Sequence, residues 1–165
     1  MNKQKACKII IHLLLVMFLA TLSSKFVLAA EHIKLVTSQT LYVPIYSHIY
    51  SGVKARPFDL AAILSIRNTD PKYPITIVSV SYYDSDGKLV KDYLTEPVTL
   101  NHLQSTRYII TEGDRSGGSG ANFIVKWKST RKVNPPIVEG VMIGTRSGQG
   151  ISFVSRSQVI EEHGE

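Results

Sequence analysis

The sequence predicts an all-β chain, a single antiparallel β-sandwich of about eight or nine short strands behind an amino-terminal signal peptide. Three observations predict it. No helix-period segment of useful length follows residue 30. Short β-branched and aromatic runs recur instead, separated by Gly, Pro, Asn and Asp clusters. Within the clearest run, Phe123, Val125 and Trp127 alternate with Lys126 and Lys128, the period of a half-buried strand.

Lys3, Lys5 and Lys8 form a basic head, and Ile9 to Ala20 is apolar except for His12. Val27-Leu28-Ala29 then supplies the short residues a signal peptidase reads, so residues 1–29 are expected to leave, with cutting after Ala29 or Ala30. An uncleaved anchor needs roughly 20 consecutive apolar residues. Ser23, Ser24 and Lys25 end this run sooner. The expected address is extracytoplasmic, periplasmic or secreted, with membrane contact only through the signal before cleavage. Cys7 is the single cysteine and precedes the apolar run, so lipoprotein acylation is not expected. Its removal also leaves residues 30–165 without disulfide, thiolate or sulfur-ligated metal. A chain of about 135 residues buries roughly two-thirds of its unfolded surface and folds without them.

The net charge of +6 drops with the signal. Removing Lys3, Lys5, Lys8 and Lys25 lowers the 19 basic residues to 15 against 13 acids, a net +2. Nucleic-acid binding therefore has no support in charge.

The strand-like runs are Thr40–Tyr50, Leu60–Asn68, Ile75–Asp84, Lys88–Tyr93, Val98–Leu100, Thr106–Thr111, Ala121–Lys128, Ile137–Ile143 and Gly150–Ser155. Pro44 cannot donate to a ladder, which puts the first at an edge or a bulge. Leu60, Ala62, Leu64 and Ile66 alternate before a polar turn at Arg67–Pro71. Ile77-Val78 breaks alternation, which a bulge or burial on both faces explains. Asp86-Gly87 supplies the positive φ angles of a tight hairpin. With no repeat and no low-complexity linker, residues 30–165 make one domain.

Val43-Pro44-Ile45-Tyr46-Ser47-His48-Ile49-Tyr50, Ser65-Ile66-Arg67-Asn68-Thr69-Asp70 and Gly117 through Trp127 carry a further signal, with Val141–Gly144 and Gly150–Phe153. Together they resemble domain of unknown function 3124, a family of exported bacterial proteins and lipoproteins, across essentially the whole mature chain. The resemblance implies a bacterial envelope protein and carries no activity. The chain departs from lipoprotein relatives in lacking an acylation cysteine. Leu64 to Thr111 is also similar in layout to immunoglobulin-like sandwich modules.

Tyr42, Pro44, Tyr46, His48 and Tyr50 fall on alternate positions and would share a strand face. Tyrosines with a histidine on an edge strand suit a sugar ring or a protein partner, while the plainer reading is rings that cover the sheet. The loop Glu112–Gly120 offers Asp114 and Arg115, with Asn122 beyond it. Its backbone N–H groups could cradle an anion, but it lacks the ending of a phosphate loop and of a nucleophile elbow. Asp84-x-Asp86-Gly87 opens like a calcium loop without the later ligands, and turn chemistry accounts for it. Lys126, Lys128, Arg131 and Lys132 flank Trp127, a basic cluster that reads as a solvated strand face or a site for phosphate, lipid head groups or acidic polysaccharide. No histidine stands at a metal-ligand spacing, so no metal and no cofactor are expected.

These features favour a non-enzymatic binding or assembly module of the cell envelope, with an envelope protein or glycan as partner. The rivals are an envelope-polymer hydrolase using Asp70, Asp114, Glu139 or His48, and a structural component that self-associates through its edge strand.

Overall fold

The computed structural model describes His12 and residues 34–146 and 148–163. The chain divides into units Met1–His32 and Ile33–Glu165. The expected signal peptide and its cleavage site lie outside the described residues. No described helix is long and apolar enough to cross a membrane.

Twelve strands are described: β1 (Val36–Pro44), β2 (His48–Ser51), β3 (Arg56–Asp59), β4 (Ala61–Arg67), β5 (Ile75–Tyr83), β6 (Leu89–Asp92), β7 (Val98–Leu100), β8 (Ser105–Ile110), β9 (Asn122–Val133), β10 (Ile137–Arg146), β11 (Gln149–Arg156) and β12 (Gln158–His163). They form a six-stranded sheet in the order β12-β1-β9-β5-β6, with β7 also on β5, and a four-stranded sheet in the order β11-β10-β4-β8. A β2–β3 hairpin stands apart. Every pairing is antiparallel, and neither large sheet closes on itself. This is the predicted sandwich.

Alternation decides the faces. The rows Val43–Phe123–Tyr82, Leu41–Val125–Val80 and Gln39–Trp127–Ile77 run across the six-stranded sheet and are buried. Ala62, Leu64, Ile66, Val138 and Met142 supply the opposing face. Tyr93 meets Phe123 and Tyr108 edge-on at 5.5 Å each, joining β9 to β8. Such ring pairs contribute roughly 0.5–1.5 kcal/mol beyond their burial.

Register settles two sequence questions. Ile77 pairs with Trp127 and Ser79 with Lys126, so Val78 is the extra residue of a bulge, 37% exposed. At the β5–β6 turn only Gly87 takes a positive φ, +76°, rather than both turn residues. The Asp84 carboxylate accepts the backbone N–H of Asp86 (2.9 Å) and of Lys88 (2.8 Å), and a register shift follows at Tyr83. A three-residue loop with a bulge satisfies the chain twist in this way.

Three differences from the sequence reading have physical causes. The run Thr40–Tyr50 is two strands, because Ile45 to Ser47 bond to the glycine loop: Ile45 N–H to Ala121 O at 2.9 Å and Ser47 N–H to Gly118 O at 3.2 Å. The first strand is not an edge, since β12 covers it from Ser38 to Tyr42. Pro44 is tolerated because it lies past the end of β12. Strands β3 and β12 were not expected at all: Arg56–Asp59 carries a proline, and Gln158–His163 is mostly polar and exposed.

Candidate functional site

The β2–β3 hairpin brings His48 opposite Asp59 and Tyr50 opposite Pro57. His48 Nε2 lies 3.3 Å from the Tyr50 hydroxyl, with the rings edge-on at 5.3 Å. His48 Nδ1 is 3.2 Å from the hydroxyl of buried Ser47, so the ring is held from both ends. Tyr50 itself is 59% exposed.

Across from the hairpin, Arg115 grips Asp59 with both arms of its guanidinium, Nε to Oδ1 at 2.8 Å and Nη2 to Oδ2 at 2.9 Å. That fork-on-carboxylate geometry orients both groups rather than adding much stability at the surface. The Arg115 hydrogen bonds hold the Asp59 carboxyl below its ordinary range, and Asp59 raises Arg115 in return. Arg146 donates to Pro57 O at 3.1 Å. Pro57, Phe58, Asp59, Glu112, Arg115 and Arg146 thus surround an open groove of about 310 Å³. Its polar walls are mostly charged and planar, with His48 and Tyr50 on the hairpin that forms one wall.

The predicted residues divide between this place and others. His48, Tyr50 and Arg115 meet here. Tyr46 instead packs edge-on against Phe153 of β11 at 5.6 Å. Tyr42 lies in the outer row of the six-stranded sheet, between Ile124 and Gln158. Asp114 caps its own loop, accepting Ser116 N–H at 3.0 Å, and the Ser116 hydroxyl and then this N–H lower its carboxyl. Asn122, at the start of β9, pairs with Pro44 of β1 and Tyr83 of β5. Asp59, Glu112 and Arg146 were missed, because nothing in sequence ties a residue before β4 to one after β8 and one at the end of β10.

The glycine-rich loop is tied to the Asp84–Lys88 turn. Ser85 N–H and its hydroxyl both donate to Gly117 O, at 2.9 and 3.1 Å, and Gly120 N–H donates to the same hydroxyl at 2.9 Å. Gly118 N–H donates to Arg115 O at 3.1 Å, so two of the loop's backbone N–H groups are used on protein, which counts against the anion-cradle reading of that stretch. Trp127 is buried while Lys126 and Lys128 point outward, so the basic cluster is a solvated face. Arg131 lies over the Tyr73 ring, 5.2 Å from its centre.

Of the hydrolase candidates, His48 stands at this site, while Asp70, Asp114 and Glu139 are engaged elsewhere. Asp70 is buried and accepts the N–H groups of Lys72, Tyr73 and Asn134 at 2.8, 2.9 and 3.1 Å. Glu139 faces Arg67 at 3.9 Å on the outside of the four-stranded sheet. No group of three His, Cys, Asp or Glu suited to a metal occurs among the described residues.

Comparison with known proteins bears on family alone. The crystal structure of Thermotoga maritima 1070 is similar over 77% of this chain and 97% of its own, at 13% identity and a TM-score of 0.43. No curated protein matches. The family described as a protein of unknown function (DUF3124) matches residues 38–160. The chain therefore belongs to the DUF3124 family of proteins of unknown function.

Proposed function

We propose that this chain is an exported bacterial binding module, non-enzymatic, that takes a polar glycan of the cell envelope at the groove beside the β2–β3 hairpin. The observation that carries the reading is the Arg115–Asp59 fork held next to the His48–Tyr50 pair. Sugars are recognised by planar charged groups that bond neighbouring hydroxyls and by an exposed ring that receives the apolar face of the pyranose. Asp59, Glu112, Arg115 and Arg146 supply the first, and Tyr50 the second. Export rests on the basic head, the apolar run and the short residues before Ala30.

The test is retention of the mature domain on insoluble envelope polysaccharide, including purified peptidoglycan. Tyr50→Ala and Arg146→Ala should each release it at least about tenfold more readily with unchanged melting, since both side chains are exposed. Equal retention of parent and variants, or none by the parent, would sink the glycan reading. Fractionation of bacteria producing the full chain, with the mass of the recovered protein, tests export. The mature amino terminus should be Ala30 or Glu31.

A further inference from the structure

The outside of the four-stranded sheet carries a pattern that the groove does not use. Register aligns Val154, Val141, Ile63 and Ile109 in one row across all four strands. Val154 is 53% and Ile109 50% exposed. Ile143, one row away and 46% exposed, widens the band. The row on its other side reads Arg156, Glu139, Ser65 and Arg107, and Arg67 stands one row beyond.

Charge on this face is unbalanced. Three arginines surround one glutamate, whose ion pair goes to Arg67 at 3.9 Å. Arg107 and Arg156 are exposed and make no ion pair among the described residues. A groove of about 250 Å³ runs from Ile63 and Val141 at its apolar end to Arg67 and Arg107 at its basic end.

We propose that this face docks a protein partner that presents carboxylates alongside aliphatic side chains. An aliphatic band exposed across a whole sheet is a recognised mark of an interaction surface. The unpaired guanidiniums select the sign of the partner, because arginine binds carboxylate through two parallel hydrogen bonds. The composition separates a protein from a lipid surface. These rows contain valine and isoleucine but no tryptophan, tyrosine or phenylalanine, and their cations are all arginine. Interfacial membrane binding relies on aromatic anchors and long flexible chains, whereas flat β-branched rows match the side chains of another polypeptide.

The probe is a fluorescein-labelled peptide of alternating valine and glutamate, titrated with the mature domain and read by anisotropy. The parent should bind it and not an alternating valine–lysine peptide. Arg107→Glu with Arg156→Glu should weaken binding at least about tenfold, as should Ile109→Ser with Val154→Ser, with melting unchanged because all four side chains are exposed. Failure of the parent to bind, equal binding of both peptides, or variants that bind like the parent would overturn the proposal. Binding of phosphatidylglycerol vesicles with the same variant dependence, in place of the peptide, would assign the face to a membrane instead. Sedimentation showing a dimer that Ile109→Ser with Val154→Ser dissociates would assign it to a second copy. Either result overturns the proposal as well.

Discussion

Gly117 stands against the buried ring of Tyr82 so closely that a Cβ there would fall 2.0 Å from the hydroxyl and 2.4 Å from Cζ. The same Cβ would meet the Ala121 methyl at 2.7 Å. Space, rather than a left-handed backbone, is what requires glycine at this point. Burial also pushes the Tyr82 hydroxyl up to about 12, and no partner for it occurs among the described residues.

Gly117→Ala should therefore destabilise by about 1–3 kcal/mol through overpacking, measured by urea denaturation. Tyr82→Phe should be neutral or stabilising, because it removes a buried hydroxyl that bonds to nothing described. Loss of stability in Tyr82→Phe would mean that the hydroxyl is satisfied.

Asp70 should make the fold acid-sensitive. Burial raises its carboxyl, but the N–H groups of Lys72, Tyr73 and Asn134 outweigh burial and the net direction is down from 3.8. A depressed folded value means that the stabilisation is complete above the unfolded value and is lost as pH falls through the folded one. Thermal melts of the parent should thus hold down to about pH 4 and drop below it, whereas Asp70→Asn should start lower and lose less over that interval. Parallel curves would remove Asp70 as the cause.

Asn68 ties three segments together. Its amide donates to the carbonyls of Tyr73, Leu100 and Asn101 at 2.9, 3.2 and 2.9 Å, and its oxygen accepts Asp70 N–H at 3.0 Å. Asn68→Ala should cost about 3 kcal/mol, since buried groups are left unpaired on both sides. Asn68→Asp should cost more, because it sets a carboxylate against three carbonyl oxygens. Chemical denaturation of the two variants gives the order.

The bulge at Val78 predicts an asymmetry between deletions in one strand. Removing Val78 leaves Ile77 opposite Trp127 and Val80 opposite Val125, so both faces of β5 survive. Removing Thr76 shifts Ile75 by one place and turns it out of the core. Melting should fall little in the first variant and severely in the second.

Much of the sandwich was legible because alternation reports burial directly. Phe123, Val125 and Trp127 point inward as their spacing requires, and the turn at Asp84 through Gly87 follows from its residue types. The hairpin of β2 and β3 was not legible, since it forms only where Ser47 and Leu60 bond to each other (Leu60 N–H to Ser47 O, 2.9 Å). β12 was hidden for another reason. Its residues are held by polar side chains, Gln39 to Glu162 at 2.7 Å and Thr40 to Glu161 at 2.8 Å, and so show no apolar period. Of the candidate site, the tyrosine stripe gave His48 and Tyr50. Their partners Asp59 and Arg115 are joined only by tertiary folding, which spacing along a chain does not encode.

The place of β1 inside the six-stranded sheet governs the order in which the molecule can assemble. β1 is synthesised before the other described strands, yet both its neighbours, β9 and β12, lie far along the chain, and β12 is the last of those described. A ribosome therefore delivers an interior strand of the sheet long before either neighbour can pair with it. The side of β1 that faces β9 stays open until residues 122–133 emerge, and the side from Ser38 to Tyr42 that faces β12 stays open until residues 158–163 do. Folding is then a late, concerted event dominated by distant contacts, which are slow to form. For a nascent chain that waits in this condition, a holding chaperone is the natural companion.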